Sequence, residues 1–92
     1  MPSEALGKEG RFVWYVCLLE SEALEGERYI GTTSDLKRRI AEQNAGKSSH
    51  TSKFAPWRVV TYLAFSSQAK VASFERYLKS GSGHAFASKR LW

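Results

Sequence analysis

Residues 12–19 read Phe-Val-Trp-Tyr-Val-Cys-Leu-Leu, eight apolar side chains in a row and rich in aromatic and β-branched types. A run of this length matches a strand. Successive strand side chains point to opposite faces, so both faces here are apolar and both must be covered. In a chain of 92 residues that requirement decides most of the fold: this strand is central, not an edge. The length suits one domain, and a content of 42% hydrophobic and 13% aromatic residues is enough for a real core. A domain this small still buries only about 60–65% of its unfolded surface.

The rest of the chain falls into place around that strand. Residues 1–10 have no apolar period and read as a flexible leader, with the folded domain spanning 11–92. The acidic stretch 20–27, with Gly26, forms a turn, and Arg28-Tyr29-Ile30-Gly31 resumes an extended segment, making a hairpin with a long loop. Thr32-Thr33-Ser34-Asp35 can cap a helix of about eleven residues, with Leu36 and Ile40 at helical spacing and an end at Asn44-Ala45-Gly46. Residues 47–56 read as a loop and 57–65 as a third strand. Ser66 and Ser67 can cap a second helix, whose buried stripe is Val71, Phe74 and Leu78 and which Gly81 and Gly83 should end. A short basic tail helix over 85–91 follows. The order β-β-α-β-α-(α) predicts an α+β domain, a three-stranded antiparallel sheet flanked by helices.

Several function classes are excluded early. A lone cysteine, Cys17, cannot close an intramolecular disulfide, and no Cys/His cluster has zinc spacing. A reducing, cytoplasmic setting is expected. No apolar leader and no run near the ~20 residues of a membrane span exist, so neither secretion nor membrane insertion is expected. The charge is unevenly placed: residues 1–27 carry two basic and six acidic side chains, residues 28–92 twelve and three. Such a basic stretch suits a polyanion, because Lys and Arg that neutralise phosphates gain affinity through counterion release. It also suits a merely solvated surface. No obligate protein partner is implied.

Tyr29 and Gly31 share one face of the second strand, with Ile30 on the other. Arg39 and Gln43 are i, i+4 neighbours on the first helix, beside the Leu36/Ile40 stripe. Glu75 is the only acid after Glu42, among Lys47, Lys53, Arg58, Lys70, Arg76, Lys79, Lys89 and Arg90. An isolated carboxylate in a basic field suits a divalent metal that works on phosphates, and equally an i, i+4 surface pair with Lys79.

These residues carry a resemblance. Tyr29-Ile30-Gly31, Asp35-Leu36-Lys37-Arg38-Arg39, Glu42-Gln43-Asn44-Ala45-Gly46-Lys47, His50-Thr51, Pro56-Trp57 and the stretch from Phe74-Glu75 through Gly83 occur in this order. In this set the chain resembles the GIY-YIG nucleases, from about Trp14 to Trp92, and looks like their small bacterial single-domain branch. The resemblance implies metal-dependent hydrolysis of DNA phosphodiester bonds, on branched, flapped or single-stranded DNA. By the same resemblance Glu75 would hold one Mg²⁺ or Mn²⁺ ion, Arg39 would pair with the scissile phosphate, and Tyr29 would orient or deprotonate the attacking water. His50 would shuttle a proton, and Tyr15 and Cys17 would belong to the catalytic set, Cys17 at the place of the family's second active-site phenol and Tyr15 partly substituting for it. Arg38, Gln43, Lys47, Lys53, Arg58, Lys79, Lys89 and Arg90 would track the nucleic-acid backbone with little base specificity. His84 reads as surface. Two positions depart from the family: Cys17 stands where the first motif usually ends in tyrosine, and Gln43 where many relatives have histidine. A second reading therefore stays open, a nucleic-acid-binding module that keeps the basic face and has weakened or lost the chemistry.

Overall fold

The computed structural model describes residues 13–46 and 51–92; the expected leader and the loop residues Lys47 and His50 lie outside them. Strand β1 (Trp14–Ser21) sits in the middle of an antiparallel sheet, between β2 (Arg28–Thr33) and β3 (Trp57–Phe65). The two-faced apolar run explains this placement. Val16 and Leu18 point to one side and pack with Val71, Leu78 and Ala87 of the two C-terminal helices. Cys17 and Leu19 point to the other, against Trp57 and the Leu36/Ile40 stripe of the first helix. All four of these β1 side chains are completely buried, so each contributes about 1.5–3 kcal/mol, with the smaller Cys17 near the bottom of that range. Between Leu18 and Leu19 the pairing to β3 skips from Thr61 to Val59. Val60 is thus the extra residue of a bulge, which bends and twists the strand locally.

Helix α1 (Leu36–Asn44) begins where Asp35 caps it, the carboxylate accepting from the Arg38 N–H at 3.1 Å. Thr33 braces the entry: its hydroxyl accepts from the Asp35 N–H at 2.9 Å and donates to the Asp35 carbonyl at 3.1 Å. The helix runs nine residues rather than eleven. It is followed by Gly46, whose φ of 76° lies in the left-handed region that favours glycine. A single 3₁₀ turn (Ser52–Phe54) occupies part of the expected loop. Helix α2 (Gln68–Leu78) is capped by Ser67, which accepts from the Lys70 N–H at 3.2 Å, and it buries Val71 and Leu78 as its stripe predicts.

The tail differs from expectation. Gly81 and Gly83 do not terminate α2; they open α3 (Gly81–Arg90). Ser80 makes this possible, its hydroxyl accepting from the Gly83 N–H at 3.2 Å and donating to the Tyr77 carbonyl at 2.6 Å. Gly83 is needed for close approach: a Cβ there would lie 1.6 Å from the Tyr77 carbonyl oxygen, a backbone atom that cannot swing away. Gly83→Ala is therefore expected to cost about 3 kcal/mol, lowering the Tm by more than about 10 °C. Gly81→Ala, with nothing within 4 Å of the new methyl, is expected to be neutral or stabilising by a few tenths of a kcal/mol. Thermal melts that show equal effects at the two positions would contradict this. The chain closes with Leu91 and Trp92, whose N–H groups both donate to the Ala87 carbonyl and whose side chains pack on the α2/α3 side of the core. Among the described residues no helix is long and apolar enough to cross a membrane.

Candidate active site

The site is laid out by strand register. Cys17 pairs with Gly31, and Leu19 with Tyr29, so Tyr29 and Gly31 stand two residues apart on the face that carries Cys17. A Cβ at Gly31 would lie 2.7 Å from the Tyr29 hydroxyl and 2.8–2.9 Å from its ring carbons. The phenol thus lies directly across the bare backbone of Gly31. Trp57 backs the ring at 6.2 Å between centroids, tilted by 56°. The glycine of the Tyr-Ile-Gly triplet is a seat for its tyrosine.

Arg39 reaches the same place from α1. It is half buried, and its Nη2 donates to the Thr32 carbonyl at 3.2 Å, which ties the guanidinium to the residue after Gly31. Glu75 arrives from α2 with about a quarter of its side chain exposed, and its Oε2 accepts from Lys79 Nζ at 2.9 Å. Both charges bear on Cys17. Burial pushes its thiol pKa up; the Arg39 guanidinium opposes that and the Glu75 carboxylate adds to it. A cation of α1 and an anion of α2 therefore act on one buried atom. The thiol remains neutral and donates weakly to the Gly31 carbonyl, 3.5 Å away. Completely buried, Cys17 lies beneath the strand face that carries Tyr29 and Gly31.

Tyr15 is placed differently. It stacks edge-on against Tyr62 at 5.8 Å, is only 6% exposed, and pairs across β1 with Thr33. Its phenol is held above its ordinary pKa by burial first, then by Tyr62 and by Asp35. The Asp35 carboxylate that acts on it is the α1 cap.

Of the residues expected on the nucleic-acid surface, Arg38 lines a shallow cleft of about 210 Å³ with Thr33, Ser34, Asp35, Arg39 and Glu42, and pairs with Glu42 at 3.1 Å. Lys53 lies over the Phe54 ring at 5.3 Å, and Lys89 and Arg90 are exposed in the last turn of α3. Arg58 is paired with Glu20 at 2.7 Å, beside the acidic turn. Gln43 is a correction. It is 4% exposed, and its amide oxygen accepts from the Thr51 hydroxyl; Trp57 Nε1 donates to the Thr51 carbonyl at 3.1 Å. Gln43 fastens the segment after α1 rather than presenting itself to a ligand. Asn44 does the same through the backbone of Trp57. Their helix gave no warning, because a polar residue at the C-terminal end of a short helix looks the same whether it faces solvent or a returning loop. His50 and Lys47 lie outside the described residues.

No group of three His, Cys, Asp or Glu side chains that could hold a metal ion occurs among the described residues. Glu75 alone suits a hard, mostly hydrated ion that takes one protein carboxylate and completes its shell with water and phosphate oxygens. It does not suit zinc, which asks for several protein ligands.

Comparison with known proteins places the chain in a family. The GIY-YIG catalytic domain family matches residues 13–87. A structure-specific endonuclease subunit SLX1 homolog of Giardia intestinalis is 36% identical over 73 residues, 75% of this chain; the chain spans 20% of that protein's length. A UPF0213 protein of Cupriavidus pinatubonensis is 35% identical over 80 residues, 83% of this chain and 87% of its own. The solution structure of a UPF0213 protein from Bacillus halodurans superimposes with a TM-score of 0.52 at 30% identity, covering 86% of each chain.

Proposed function

Because the chain belongs to the GIY-YIG catalytic domain family, we propose that it is a divalent-metal-dependent endonuclease hydrolysing phosphodiester bonds of branched, flapped or single-stranded DNA. The observation that carries this reading is the Tyr29 phenol set across Gly31, with the Arg39 guanidinium tied to the neighbouring Thr32 carbonyl. The name of the Giardia relative, a structure-specific endonuclease subunit, supports the choice of junction or flap over plain duplex.

Each side chain has one task. Arg39, held by the Thr32 carbonyl, offers its remaining guanidinium donors to the scissile phosphate, where negative charge grows in the transition state. Tyr29, fixed over Gly31 and backed by Trp57, orients the attacking water with its hydroxyl. Glu75 is the residue that would hold Mg²⁺ or Mn²⁺, and the ion when bound would supply neutralisation of phosphate charge and stabilisation of the leaving oxygen. Lys79, paired with Glu75 at 2.9 Å, holds the carboxylate in its orientation. The neutral Cys17 thiol lies buried beneath the strand face of Tyr29 and Gly31.

Incubating labelled flap, branched and single-stranded DNA with the protein and Mg²⁺ or Mn²⁺ should give cleavage that a chelator abolishes. Arg39→Lys, which keeps the charge and removes the planar fork, is expected to slow cleavage about tenfold, with binding in chelator reduced less than about threefold. If the wild-type protein cuts none of these substrates, the alternative reading takes over: a binding module that keeps the basic face. What favours that alternative is Cys17, a buried neutral thiol where the family usually places a second phenol.

A further inference from the structure

Lys79 belongs to two places at once. Its ammonium pairs with Glu75 at 2.9 Å, and the same side chain lines a hollow of about 260 Å³ together with Arg28, Ile30, His84 and Trp92. Two cationic side chains, Arg28 and Lys79, and the imidazole of His84 line this hollow, and the carboxylates that pair with the two cations, Glu20 and Glu75, are not among its lining residues. Its floor is built rather than incidental. Trp92 is anchored by the bond from its N–H to the Ala87 carbonyl at 2.9 Å and packs, with Ile30, on the buried cluster under α2 and α3. The Arg28 guanidinium sits 4.6 Å from the centroid of the Trp92 ring and is tethered from outside by Glu20 at 3.5 Å. A guanidinium already seated on an indole offers a flat cationic plane on which a base can stack. The basic side chains around it suit a phosphate.

From this juxtaposition we propose that the hollow is a nucleotide subsite, in which a base of an unpaired strand stacks on the Arg28–Trp92 platform and its phosphate lies on Lys79 and His84. The proposal rests on the nuclease reading for which strand is bound, and it adds where that strand goes. Lys79, the residue that closes α2, follows Glu75 by four positions, about 6 Å along the helix axis, close to the step between neighbouring nucleotides. The subsite therefore takes the nucleotide beside the scissile phosphate. A paired base has no free face to stack, so the hollow selects flaps, gaps and single strands over continuous duplex.

Fluorescence anisotropy with a labelled single-stranded hexanucleotide and with its duplex, in chelator at one fixed salt concentration, tests this. Trp92→Ala is expected to weaken single-strand binding about tenfold and Arg28→Lys, which keeps charge and loses the plane, about fivefold. Duplex binding should change less than about twofold. Because Trp92 packs on the core, Arg28→Lys serves as the arm that leaves the core untouched. Single-strand binding within about twofold of wild type for Arg28→Lys, or equal losses on duplex and single strand, overturns the subsite. Cleavage by wild type with either of those outcomes leaves the nuclease reading standing and removes only the subsite. Absence of cleavage with the selective loss does the reverse.

Discussion

Glu75→Gln is expected to lower Mg²⁺-dependent cleavage by about a thousandfold while leaving the Tm within a few degrees. The amide keeps the shape of the side chain and can still meet Lys79, and the lost surface ion pair is worth only about 0.3–0.5 kcal/mol. What the amide lacks is the charge a hard cation requires. DNA binding in chelator should be equal or slightly tighter, because a negative charge in a phosphate-facing surface has been removed. Steady-state cleavage of a labelled flap, a thermal melt and anisotropy in chelator check the three parts. Cleavage within tenfold of wild type would remove Glu75 from the reaction.

Gly31→Ala is expected to reduce cleavage about a hundredfold with little loss of stability. The strand backbone at Gly31 is not in the left-handed region, so alanine has no conformational penalty there. The added Cβ meets the Tyr29 hydroxyl at 2.7 Å, the far end of a side chain that can swing aside. The fold survives and the phenol leaves its seat. Tyr29→Phe should produce a loss of similar size, and the double substitution should lose no more than either alone, since both remove one positioned hydroxyl. Additive losses in that cycle would show that Gly31 acts through something other than Tyr29.

Most of the scaffold is legible in the chain itself because its signals are local and strong. A run of eight apolar residues can be satisfied only at the centre of a sheet. Asp35 and Ser67 announce the two helix starts by chemistry that needs nothing outside their own turn. Where the reading slipped, a local signal had two meanings. Gly81 and Gly83 look like helix terminators until Ser80 and the Tyr77 carbonyl are in place, and then Gly83 is a contact glycine inside the first turn of α3. Gln43 looks like a helix surface residue until Thr51 returns to meet it.

The candidate site divides in the same way. Residue types and their order along the chain nominated Tyr29, Arg39 and Glu75 and supplied the resemblance that the family match then established. Strand periodicity alone put Tyr29 and Gly31 on one face. That the phenol lies across Gly31, that Arg39 is held by Thr32, that Cys17 is buried beneath their face, and that Lys79 joins the site to an aromatic hollow depend on contacts between segments far apart in sequence. Periodicity dictates which way a side chain points relative to its own strand or helix. It carries no information about how far apart two elements settle, because that distance is set by the packing of every side chain between them. Charge, strands, caps and the nominated trio were therefore properties of the sequence by itself. Only the tertiary structure decided which of them meet.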